Sequence, residues 1–119
     1  MVRYPVRMSI SGSMVTTRNE LPGFVVEKNL GVCFGLVVRS VGFARSFTGA
    51  FRGLRAGEVP EYTQVLEDAR RHAIDRMIDN GSLLGANAIV QMYFESSDVG
   101  QMFTEVVAYG SAVIVRPTE

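Results

Sequence analysis

The chain has 119 residues, 47% of them hydrophobic and 20% charged, which fits one domain able to bury roughly two thirds of its unfolded surface. No apolar run approaches the ~18–20 residues of a membrane span, Met1 to Met14 hold no apolar core of a signal peptide, and a single cysteine, Cys33, rules out an intrachain disulfide or a thiolate cluster within one chain. Net charge is zero but lopsided: residues 1–57 carry eight basic groups against two carboxylates, and residues 58–119 carry four against ten.

Residues 1–13 have no clear period and read as a flexible N-terminal arm ahead of one domain spanning 14–119. From Gly23 to Arg39 the pattern is a long strand or a bent hairpin. Gly31 and Gly35 interrupt it, as bulges or close backbone approaches do. Phe43, Phe47, Ala50, Phe51 and Leu54 then recur at helical spacing, with Arg45, Arg52 and Arg55 on another face. Gly42, Gly49 and Gly53 weaken this short helix, each by up to ~1 kcal/mol relative to Ala.

Pro60 is suited to the first position of a second, stronger helix. Its core stripe is Tyr62, Leu66, Ala69, Ala73, Met77 and Leu84, within a ~80° arc. Glu67 and Arg71 form a favourable i,i+4 pair. Ile74 and Ile78 flank the stripe. Asn80-Gly81 can stop the helix, and Gly85 fits the C′ position better because Leu84 completes the stripe. Two strands follow, over 84–95 and 105–115, joined by a loop at Ser96–Gln101. Both are apolar at nearly every position. The fold class expected is α+β, β-α-β-β, with a three-stranded antiparallel sheet and the helices on one face. Its other face would expose Val, Ile and Met residues, which marks an interface.

Several of these residues carry a family pattern. Glu61-Tyr62-Thr63, Ala69-Arg70, Ala73-Ile74-Asp75-Arg76-Met77, Leu84-Gly85-Ala86-Asn87-Ala88-Ile89-Val90 and Glu105 to Val113 resemble the YbjQ-like family of small bacterial and archaeal proteins. Thr16-Thr17, Pro22-Gly23-Phe24, Leu30-Gly31, Gly35, Arg39-Ser40 and Phe51-Arg52 fit it too, so the resemblance runs from about residue 14 to 115. It implies a subunit like that of dodecin, assembled into a ring, with a homopentamer as the typical state. The family is labelled heavy-metal-binding and its role is otherwise unknown. Residues 1–13 precede its usual start, Gly81-Ser82-Leu83 replaces an alanine-bearing stretch, and Arg55-Ala56-Gly57-Glu58 replaces a Gly-Gly-Glu turn. The family brings no agreed catalytic residues.

The cofactor is therefore unknown, with a divalent metal ion as the one named possibility. Heavy metals favour thiolates and imidazoles, but Cys33, in an apolar strand, reads first as a small core hydrophobe. On the long helix Asp68, His72, Asp75 and Asp79 fall within a ~60° arc, where Asp68 and His72 can both reach one ion, with Asp75 a turn away. The bland account of the same pattern is a solvated or inter-subunit polar face. His72 is the only histidine and nothing pairs it with a nucleophile, so the chain is not read as an enzyme. Arg45 and Arg52 share a face that could hold a ligand or a neighbour. Because the phenylalanines beside them lie on the buried period, nucleic acid is not the expected partner. Tyr62 and Tyr109 are further ligand or interface candidates. The expected partner is the chain itself, and the expected compartment is the cytoplasm. A ring that binds a metal or small ligand at subunit boundaries is the alternative, and an enzyme a distant third.

Overall fold

The computed structural model describes residues 9–40, 60–100 and 102–119, with the backbone alone at 60–62. The short helix expected around Phe43–Leu54, with Arg45 and Arg52, lies outside these residues, as does the side chain of Tyr62. Of the two expected helices, the described residues contain the long one, α1 (Pro60–Leu83). The strands are β1 (Phe24–Ser40), β2 (Ala88–Val99) and β3 (Phe103–Pro117). The pairings among the three strands are antiparallel and the spatial order is β1-β3-β2, so β3 is central.

β1 is one long strand rather than a hairpin. Its register with β3 slips between Val26 and Lys28 and again between Asn29 and Gly31. The second slip has a local cause. Gly31 takes φ 109°, a conformation that disfavours other residues, and its N–H donates to the Asn29 side chain at 3.1 Å. Gly35 is the close approach. A Cβ there would meet the backbone of Ala73 and Met77 on α1, and the Arg76 Cβ at 2.7 Å. The missing side chain lets the helix lie directly on the strand.

The helix begins at Pro60, as its missing N–H and fixed φ favour. It ends in a Schellman motif. Gly85 N–H donates to Ser82 O at 3.0 Å and Ala86 N–H to Gly81 O at 3.2 Å, with Gly85 at φ 95°. Gly81 does not stop the helix; it is packed within it, near Cys33, Ile89 and Ile10. Ala69, Ala73 and Met77 are fully buried and Leu66 half-buried, as the stripe predicts. Leu84 is a correction. It sits past the last helical turn and is 48% exposed, while Ile78 and Ser82 take the buried positions near the end. The cap turns the chain away before Leu84 can reach the sheet.

A further correction concerns the hairpin. Ser96, Ser97 and Asp98 belong to β2 rather than to a loop: the strand runs on to Val99, and β3 begins at Phe103. Polar cross-strand contacts extend the ladder there. Thr104 Oγ1 donates to Ser97 O at 3.3 Å, and Ser97 Oγ to Glu105 Oε1 at 3.1 Å.

The main core lies between α1 and the sheet. It contains Cys33 and Val37 of β1, Ala73 and Met77 of α1, Ile89 and Met92 of β2, and Val106, Ala108 and Ala112 of β3. β2 is irregular between Val90 and Tyr93, where Gln91 takes φ 53°. Gly110 of β3 faces that irregularity; a Cβ there would lie 2.7 Å from Ile89 Cγ2 and 3.2 Å from Met92 Cα. Within the stretch expected to be a loose arm, the described residues place Ile10 in the core. Ile10 is 5% exposed and its N–H donates to Ser82 Oγ at 3.2 Å. Residues 16–18 then cover the outer edge of β2, with Thr16 N–H donating to Ile89 O and Gln91 N–H to Arg18 O. That pairing covers the Ile89–Met92 part of an edge that would invite misassociation.

Candidate functional site

Strand alternation sends Cys33, Gly35 and Val37 toward α1 and their neighbours to the opposite face. Val32 is 68% exposed, Phe34 55%, Leu36 39% and Val38 54%. Register extends this stripe across the sheet. Phe34 is opposite Tyr109, which is opposite Tyr93; Leu36 is opposite Val107, which is opposite Glu95. Tyr93 and Tyr109 lie with ring centroids 6.1 Å apart. The Tyr109 hydroxyl donates to Glu95 at 3.4 Å. Partial desolvation, then the Glu95 carboxylate, push the Tyr109 phenol above its ordinary range.

At one end this face is closed. Leu21, Ala88, Val90, Val113 and Val115 form a second buried cluster, with Phe24 packed against it. Asn87 fixes the strand ends there. Its amide donates to Val115 O at 2.9 Å and accepts from Val115 N–H at 2.8 Å. The rest of the face, from Val32 to Val38 on β1 and across to Tyr93, has no cover among the described residues. The sequence predicted an open apolar face; which residues form it depended on the register.

The polar face of α1 is the second place where chemistry was expected. Asp68 accepts from Arg71 at 3.3 Å and from Gln64 at 3.5 Å, and Arg71 also bonds Glu67 at 3.3 Å. His72 is bonded to Arg39, at the end of β1 and 33 residues away in sequence. Asp75 is exposed. Asp68 and His72 thus turn to different partners. Among the described residues, no three His, Cys, Asp or Glu side chains are grouped to hold a metal ion. Arg39 was missed as a site residue because its neighbourhood is created by packing β1 on α1.

Cys33 is 3% exposed. Burial pushes its thiol above the ordinary value, with a smaller opposing effect of a backbone hydrogen bond. It is a core side chain with little thiolate character. A cleft of about 570 Å³ between α1 and the β2–β3 hairpin has Glu67, Arg70, Ser97 and Asp98 in its walls. Arg70 there lies 5.1 Å over the Phe94 ring. Charges of both signs line it, so it selects no ligand charge.

None of the described helices is long and apolar enough to cross a membrane. The family model described as "Putative heavy-metal-binding" matches residues 13–116. A UPF0145 protein of Bradyrhizobium sp. is 48% identical over 110 residues, covering 92% of this chain and 98% of that one. A UPF0145 protein of Methanoregula boonei is 44% identical, covering 87% of both chains. The crystal structure of a DUF74-family protein of unknown function from Pediococcus pentosaceus superposes with a TM-score of 0.55 at 14% identity, over 89% of this chain and all of that one. That likeness concerns the fold. With the family model spanning nearly the whole chain and full-length relatives above 40% identity, the chain belongs to the YbjQ family of UPF0145 proteins.

Proposed function

We propose that this protein acts by assembly, as a cytoplasmic homo-oligomer whose open sheet face is covered by neighbouring copies, and that it binds rather than catalyses. The single observation behind this reading is the stripe of Val32, Phe34, Leu36 and Val38, continued by Tyr93. These five side chains leave roughly 400 Å² of mostly apolar area open, worth about 10 kcal/mol per chain if covered, at ~25 cal/mol per Å². Such a contribution is comparable to the cost of association, so closing the face offsets that cost and further contacts between copies supply the net stability. The family resemblance favours a ring of five. The opposite charges of the two halves of the chain suit head-to-tail contacts around such a ring. Native mass spectrometry of the purified protein tests this. The expected species is a pentamer, which Phe34→Asp converts to smaller species of unchanged circular dichroism. A monomeric wild type would overturn the reading.

A second reading follows from the description of the family model. Asp68, His72 and Asp75 on α1 would bind a divalent ion once Asp68 and His72 leave Arg71 and Arg39, with further ligands drawn from a subunit boundary. Calorimetric zinc titration of the wild type and His72→Ala tests it. Equal, weak binding in both removes the site.

A further inference from the structure

We infer that Arg39, His72 and Arg76 form an anion-binding site, for a small molecule presenting a phosphoryl or carboxylate group. The three line one cavity of about 340 Å³ with the Leu36–Val38 segment of β1. That volume lies at the small end of ligand pockets and suits an oxyanion head group. The groups come from two elements: Arg39 is the penultimate residue of β1, and His72 and Arg76 are one turn apart on α1.

Among the described residues, the arrangement carries no counter-charge. The other bonded arginines at the surface have carboxylate partners: Arg71 pairs with Glu67 and Asp68, and Arg116 with Glu27 at 3.0 Å. Arg39 and Arg76 have none among the described residues. Among the described residues, no carboxylate lines the cavity. Asp75 and Asp79, beside Arg76 in sequence, make no ion pair with it or with Arg39.

Both guanidinium groups are nonetheless held in place. Arg76 donates to the free-edge carbonyl of Leu36 at 3.1 Å. Arg39 bonds Nδ1 of His72. An arginine can only donate, so Nδ1 is the acceptor in this contact. Each guanidinium has five N–H groups and spends one here, which leaves forks able to take an oxyanion bidentately. A pair of positioned forks with no carboxylate beside them among the described residues is the chemistry of an oxyanion site. The exposed position keeps the affinity modest and salt-dependent.

The test is a titration of the isotope-labelled oligomer with sodium phosphate, sodium acetate and sodium chloride at matched ionic strength, following arginine Nε–H and backbone signals by NMR. Phosphate or acetate should saturate shifts at Arg39, His72 and Arg76 while chloride does not. The oxyanion that saturates identifies the group preferred. Arg39→Gln and Arg76→Gln should each weaken binding by about tenfold, the loss expected of one charge-assisted fork. Arg39→Lys keeps the charge and the fold but loses the fork, and should weaken phosphate binding severalfold at unchanged melting temperature. Responses indistinguishable from chloride, or unaltered by all three substitutions, overturn the inference. So does dissociation of the oligomer on Arg39→Gln when the wild type binds no oxyanion, because the cluster would then be an inter-subunit ion-pair site. The inference is independent of assembly: a monomer that still binds phosphate through these residues keeps this site and ends the assembly reading.

Discussion

Gly35→Ala isolates the contact that docks the helix on the sheet. The added Cβ would overlap the backbone of Ala73 and Met77 and come within 2.7 Å of the Arg76 Cβ. A flexible side chain could yield to such an intrusion, but helix backbone cannot move without moving its neighbours. Ala69, Ala73 and Met77 have no exposed area, so a helix displaced from β1 opens the whole interface. Overpacking of a core costs ~1–3 kcal/mol, and with backbone as the obstacle the upper end applies, about 3 kcal/mol. Gly35 does not occupy the left-handed region, so this cost is steric and separate from glycine's conformational freedom. Gly12→Ala is the control: nothing lies within 4 Å of its added Cβ, and the effect should stay within ~0.5 kcal/mol. Urea unfolding followed by circular dichroism, at fixed protomer concentration, reads both. With m of ~1–3 kcal/mol per M, Gly35→Ala should lower the midpoint by ~1–3 M. A midpoint equal to that of Gly12→Ala would refute the steric account of the helix–strand contact.

Two further outcomes follow from the same packing. Asn87→Ala removes both hydrogen bonds to Val115 and leaves its N–H and C=O without them, so it should destabilise by roughly 2–3 kcal/mol in thermal or urea unfolding; a loss below that of a typical surface substitution would show the pairing to be incidental. For Cys33, folding raises the thiol pKa, so the unfolded chain releases its proton first. Stability should therefore be constant below the ordinary thiol value of 9.0 and fall as pH rises above it. In the native protein at neutral pH, a thiol reagent should modify Cys33 at least about a hundredfold more slowly than in urea, and comparable rates would place the sulfur outside the core.

Local chemistry determined much of this molecule. Pro60 and Gly85 set the helix ends through a missing donor and a positive φ, both properties of single residues. Alternation and helical spacing placed Ala69, Ala73 and Met77 inside and predicted a second apolar sheet face. Other features arise only when distant segments meet. The order β1-β3-β2 depends on pairings across the whole chain, and it decides that Phe34, Tyr109 and Tyr93 stand in one row. Leu84 satisfied the helical period, yet the Schellman turn removes it from the core. Spacing along α1 brought Asp68 and His72 to one face, whereas packing gave His72 to Arg39, on another element. Side-chain direction along one helix or strand is fixed by its own backbone geometry. The identity of the group it meets is fixed by how the elements pack, and that is where the exposed stripe of β1 and the arginine cluster near its end were decided.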